Sequence, residues 1–144
     1  MRYLNVKSYY SFLSSALSLD AIIEFALKHK LDSMVLTDDS NMCGSLEFID
    51  KCNKNNIKLI VGMEISVNCM GDNEKFIVLA KNTKGYSNLM KLTSHVSYSD
   101  KKVSIGLDVL ACHCEGLIVI VPTVRSYISV IALHNEVDDL KNYE

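Results

Sequence analysis

A chain of 144 residues with a formal net charge of −2 and 49% apolar residues has the size of one domain, and at about that length a chain buries roughly two thirds of the surface its unfolded form exposes. Lysines and carboxylates are interspersed, so no basic stripe gives electrostatic support to direct nucleic-acid binding by this segment. No run approaches the ~18 apolar residues of a membrane span and no signal-peptide pattern opens the chain, so a cytoplasmic location away from membranes is expected, and five cysteines at irregular spacing suit reduced thiols.

Tyr3 to Val6 is the first run of strand length. Ser18 then offers an N-cap to an amphipathic stripe through Ile22, Ile23, Ala26 and Leu27, and Lys28 and Lys30 suit a helix C-terminus. The next strand, Ser33 to Thr37, stops abruptly at two adjacent carboxylates, Asp38 and Asp39. Gly44 to Asn55 repeats a helical pattern with Leu46, Phe48, Ile49 and Cys52. A continuous apolar run from Ile57 to Val67 predicts a strand covered on both faces. A turn over 68–74, containing Gly71 and Asp72, joins it as a hairpin to a strand over Lys75 to Ala80.

Gly85 to Val96 reads as a helix with Leu89, Met90 and Leu92 inward, and Gly106 to Cys112 as a short one. Leu117 to Val121 is the last strong strand, and Arg125 to Glu144 reads as helix. The order β-α-β-α-β-β-α-α-β predicts a single α/β domain with a largely parallel sheet, open or bent into a barrel.

Functional groups in such sheets gather where strands end. Here that gives Asn5, Lys7 and Ser8 after the first strand, Asp38 and Asp39 after the second, and Glu64 within the third. Three carboxylates at one rim suggest a divalent metal. Asn5 and Lys7, two apart on an extended segment, face the same side, but they bring an amide and an ammonium where imidazoles would complete a site. Cys112-His113-Cys114 is too tightly spaced for structural zinc; Cys112 is expected on a buried helix face and His113 exposed at its end. His29, His95 and His134 read as surface or cap residues. Ser8, Ser11, Ser14 and Ser15 lack a nucleophile elbow and read as loop and helix-start residues. Asp39 reads as a solvated loop carboxylate and Ser40-Asn41 as a turn capping the next helix.

Three blocks carry a family resemblance: Tyr3-Leu4-Asn5-Val6-Lys7-Ser8-Tyr9-Tyr10-Ser11-Phe12-Leu13, Leu36-Thr37-Asp38-Asp39-Ser40-Asn41-Met42-Cys43-Gly44-Ser45-Leu46-Glu47-Phe48, and Asn56-Ile57-Lys58-Leu59-Ile60-Val61-Gly62-Met63-Glu64. With Phe76 to Asn82, Gly85 to Leu92 and Glu115 to Ile120 in the same order, the chain resembles the N-terminal polymerase-and-histidinol-phosphatase (PHP) domain of bacterial replicative DNA polymerase III alpha subunits. The resemblance implies a PHP-type distorted (β/α)7 barrel of which residues 1–144 hold only the N-terminal part. It also implies a far longer parent polymerase, whose magnesium-binding palm lies outside this segment. Partners would be the rest of the alpha subunit and other replisome subunits, with DNA reached only through the parent.

The resemblance breaks at the ligands. Asn5 and Lys7 stand where metal-binding members carry His-x-His, Asp39 stands where a His follows Asp38, and Ser14, Lys75 and Thr123 replace an Asp, a His and a Cys. Of the ligand types, Asp38 and Glu64 remain. The expectation is a vestigial site at Asn5, Lys7, Asp38, Asp39 and Glu64, with no catalytic residue and no cofactor in this segment, and with Lys7 pairing to Asp38 or Glu64 in place of a metal. The segment would then be a structural and interaction module. The competing expectation is a metal-dependent phosphoesterase or 3'-5' proofreading exonuclease using Asp38, Asp39 and Glu64. A barrel cut partway leaves an unpaired edge, so self-association, or cover by the tail, is also expected.

Overall fold

The computed structural model describes residues 3–69, 71–98 and 104–121. The elements are α1 (Leu19–Lys28), β1 (Ser33–Asp39), α2 (Ser45–Lys54), β2 (Lys58–Cys69), β3 (Asp72–Ala80), α3 (Thr83–Tyr98), β4 (Ser104–Gly106), α4 (Leu107–Cys112) and β5 (Leu117–Ile120).

The long strand β2 is the spine. Along one edge it pairs in parallel with β1, from Ser33↔Lys58 to Asp39↔Glu64, and then with β4, from Ser66↔Ser104 to Asn68↔Gly106. Its other edge takes β3 as an antiparallel hairpin partner, from Gly62↔Leu79 to Cys69↔Asp72, and β3 pairs antiparallel with β5. The sheet is therefore mixed, with two parallel and two antiparallel pairings, where the sequence pattern suggested a largely parallel one. Apolar continuity reports burial on both faces and carries no information about the partner's direction.

Alternation along the strands assigns the faces. Met34 and Leu36 of β1 point toward α1 and α2, packing with Leu19, Ile22, Ala26, Phe48 and Cys52. Met63, Ile65 and Val67 of β2 and Phe76 and Val78 of β3 point the same way, onto Leu89 and Leu92 of α3 and Leu110 of α4. The opposite face carries a small apolar group, Val35, Ile77 and Leu79 with Tyr3, Val6, Ile60 and Ile120 against it, and beyond that group it turns polar. A side chain at Gly62 would sit 2.4 Å from the Val78 carbonyl oxygen and 2.6 Å from Leu79, so only glycine lets β2 and β3 approach there.

Local chemistry explains the ends of α1. The Ser18 hydroxyl accepts from the Ala21 N–H at 3.1 Å, Asp20 lies in the first turn and Lys28 in the last, each placed to oppose the helix dipole.

Several expectations are corrected. Tyr3 to Val6 forms no strand; the run bends at Leu4 and is held to β1 by one backbone bond from Thr37 N–H to the Val6 carbonyl (2.8 Å), while the Val6 N–H goes to Thr37 Oγ1 (2.9 Å). A side chain thus takes the place of a ladder partner. Met90 is about half exposed on α3, and Cys112 is exposed rather than buried. His113 is half-buried, its Nδ1 donating to the Val109 carbonyl at 2.9 Å. The strand β4 was not foreseen, because three residues give too short a pattern to read. The helix expected over Arg125 to Glu144, with Thr123 and His134, lies outside the described residues.

Candidate functional site

Asp38 and Asp39 close β1, and because neighbours on a strand point to opposite faces, they serve different surroundings. Asp38 turns toward the helices and is 1% exposed. Its Oδ1 accepts the Ser8 N–H (2.7 Å) and the Ser11 hydroxyl (2.6 Å), and its Oδ2 accepts the Ser8 hydroxyl (2.8 Å). Three short bonds to one buried carboxyl group fix the loop that follows the N-terminal segment. The Ser11 oxygen in turn accepts the Asp39 N–H (3.0 Å), and Gly44 passes so close that a Cβ there would lie 3.2 Å from Asp38 Oδ2.

Asp39 turns to the other face, in register with Glu64. Two residue pairs further along β2, on the same face, Ser66 faces Lys75 of β3, and Lys7 enters from the N-terminal segment. The result is a cluster of two carboxylates and two ammonium groups. Glu64 Oε1 accepts from Lys7 Nζ (2.7 Å) and from Lys75 Nζ (2.8 Å). Lys75 Nζ also reaches Asp39 Oδ2 at 2.7 Å, with Lys7 Nζ 3.8 Å from the same atom. Asn5 Nδ2 donates to Glu64 Oε2 (3.2 Å), and its carbonyl accepts the Thr37 hydroxyl (2.9 Å). The formal charges cancel.

The protonation states follow. Burial alone would raise the Glu64 carboxyl, but the hydrogen bonds and charges of Lys7 and Lys75 outweigh it and hold the group below its ordinary value. For Asp39, too, burial is the largest single influence and acts upward, but Lys75, Lys7 and the Ser40 hydroxyl together outweigh it and leave the group lowered. Burial pulls Lys75 down, yet Asp39 and Glu64 together leave it raised. All three are charged near neutrality.

Of the residues singled out by sequence, the fold brings together Asn5, Lys7, Asp39 and Glu64. It does not bring in Asp38, whose oxygens are taken by Ser8 and Ser11. Lys7 pairs with Glu64, the second of its two expected partners. Asp39 is half-buried and ion-paired rather than a solvated loop carboxylate. Lys75 was noted only as a replaced imidazole, but it contacts both carboxylates. Its place was readable once the hairpin turn was set, since pairing Cys69 with Asp72 carries Ser66 to Lys75. Ser8 and Ser11 are buried donors to Asp38, and His29 and His95 are exposed. Among the described residues no three His, Cys, Asp or Glu side chains form a group able to hold a metal ion.

The family described as PHP domain matches residues 4–144. The chain is 35% identical over 130 residues to the DNA polymerase III subunit alpha of Rickettsia bellii, covering 81% of this chain and 11% of the relative. It is 41% identical over 96 residues to that of Ureaplasma parvum (67% and 10%) and 30% identical over 138 residues to that of Staphylococcus aureus (93% and 13%). The chain thus spans little more than a tenth of the length of these relatives. Two solved structures are similar at a TM-score of 0.49 over 60% of this chain and 31% of theirs. One is described as a metal-dependent phosphoesterase from Bifidobacterium adolescentis (16% identity), the other as an amidohydrolase from Chromobacterium violaceum with bound sulfate and no metal (20%).

Proposed function

The chain belongs to the PHP domain family, and on that premise we propose that it is the N-terminal part of the PHP domain of a DNA polymerase III alpha-type protein, working there as a metal-free structural module. DNA synthesis, with its magnesium, is then the business of the larger protein, and no residue of this segment takes part in it. The segment contributes by holding its own N-terminal strand-like run to the sheet and by presenting surfaces to the rest of a cytoplasmic polymerase.

One observation carries the reading: the Lys7 ammonium sits 2.7 Å from Glu64 Oε1, on the carboxylate that would have to serve as a ligand. Hydrolytic transition-metal sites need neutral imidazoles and free carboxylate oxygens to hold their ions and to lower the pKa of bound water. The donors at this rim are an amide and two carboxylates, and both carboxylates are bridged by lysines. A divalent ion placed there would meet two fixed positive charges at contact distance, so the residues present do not fit a metal centre. The same lysines supply the compensation that rim carboxylates would otherwise draw from metal ions.

The test measures metal content of the purified chain after dialysis against manganese or zinc, together with trimming of a 3'-labelled single-stranded DNA. The expected outcome is less than about a tenth of an equivalent of tightly held metal and no trimming. Stoichiometric metal, or trimming abolished by Glu64→Gln, would overturn the proposal in favour of a phosphoesterase or proofreading nuclease.

A further inference from the structure

His95 stands in the last turn of α3 and His113 caps the C-terminal end of α4. Their rings meet between the two helices, with centroids 5.3 Å apart and planes inclined by 57°. Two imidazoles that each give one nitrogen to a tetrahedral zinc ion, at a metal–nitrogen length of about 2.1 Å, hold their ring centres about 5.2 Å apart. The pair is therefore spaced as it would be around a shared ion. The His113 tautomer is set as well. Its Nδ1 lies 2.9 Å from the Val109 carbonyl, which can only accept, so Nδ1 carries the proton and the lone pair is left on Nε2, as a metal-binding imidazole requires.

Packing holds the two helix ends in place. Val96, next to His95, and Val109 itself both lie against the apolar cluster that includes Leu89, Leu92 and Leu110, so little freedom is lost in bringing the imidazoles together. Both rings also sit at helix C-termini, where the partial negative charge of the last carbonyls favours a cation. We infer that His95 and His113 form a weak, exchangeable zinc site that clamps the end of α3 to the end of α4. Among the described residues no three His, Cys, Asp or Glu side chains form a group able to hold an ion, so the pair acts alone and water takes the remaining positions. Two imidazoles are half the donors of a closed zinc site, and half of its binding free energy corresponds to half-saturation on the order of 10 µM. The site lies on the helix-covered face of the sheet, toward which Met63, Ile65 and Val67 point, whereas Glu64 and the ion-paired rim face the other way.

The test titrates zinc chloride calorimetrically into the purified chain in a non-chelating buffer at about pH 7.5, where imidazoles are neutral. The expected result is one ion per chain at that affinity, weakened at least about tenfold by His95→Ala and by His113→Asn, and changed less than about threefold by Cys112→Ser combined with Cys114→Ser. His95 is exposed, so its truncation spares the fold, and His113→Asn keeps a donor for the Val109 carbonyl while removing the ligand nitrogen. No saturable binding, binding that survives either histidine substitution, or binding abolished by the cysteine substitutions would overturn the inference. An ion held this weakly leaves on dialysis into metal-free buffer, whereas one held tightly at the rim stays, so the zinc site and the structural reading of the rim fail separately.

Discussion

Asp38 and Asp39 are adjacent in sequence and of identical chemistry, yet one is held by neutral donors in the interior and the other by ammonium groups at the rim. Around Asp38 the donors are short, fixed by backbone, and almost wholly shielded from water. Around Asp39 and Glu64 they are the ends of long lysine side chains, one of them half exposed. A buried acceptor with rigid neutral donors shapes a loop; a rim of opposed charges joins separate pieces of chain, here the N-terminal segment, β1, β2 and β3. The two regions therefore differ in what disturbs them.

The largest effect should come from Asp38→Ala, which strands two hydroxyls and an N–H in the interior at a cost of about 4 kcal/mol, read as a fall in the urea midpoint. Glu64→Gln keeps the shape and a contact to Asn5 but leaves two lysines sharing one carboxylate, and should cost about 2 kcal/mol after allowing for the half-exposed partner. If Glu64→Gln proved the more damaging, the contrast between loop anchor and rim would have to be inverted.

Acid sharpens the comparison. Folding lowers the pKa of Glu64 and Asp39, so the unfolded chain binds protons first. Their contribution is complete above about pH 5 and is lost as pH falls through the folded values. Lys75, raised by folding, has the opposite sign: its contribution is present below its ordinary value of 10.5 and is lost as pH climbs through the folded one. The stability gap between the native chain and Glu64→Gln should accordingly shrink by more than about half between pH 6 and pH 3, measured by denaturant titration at each pH. Salt gives the smallest effect. Going from low salt to 1 M NaCl should weaken the Lys75–Asp39 coupling in a double-mutant cycle by about 0.5 kcal/mol, while the cost of Asp38→Ala stays unchanged.

Much of this was legible beforehand. The runs at Ser33, Ile57, Lys75 and Leu117 became strands, and the turn around Gly71 became the hairpin. The opposite facing of Asp38 and Asp39 follows from strand alternation alone. What the sequence could not carry was pairing between distant segments. That β2 would be flanked by β1 and then by the three-residue β4 on one edge depends on the whole fold, and so does the replacement of a first strand by an irregular run bound through Thr37. Periodicity also misplaced Met90 and Cys112, because an apolar residue at the margin of a helical stripe is buried only if a neighbour reaches it.

The sharing of Glu64 Oε1 by Lys7 and Lys75 ties four distant positions together. The four charges balance only as a set, so losing either lysine alone leaves the remaining one facing two carboxylates, and losing a carboxylate leaves an ammonium over. Substitutions at positions 7, 39, 64 and 75 should therefore be non-additive in their effect on stability.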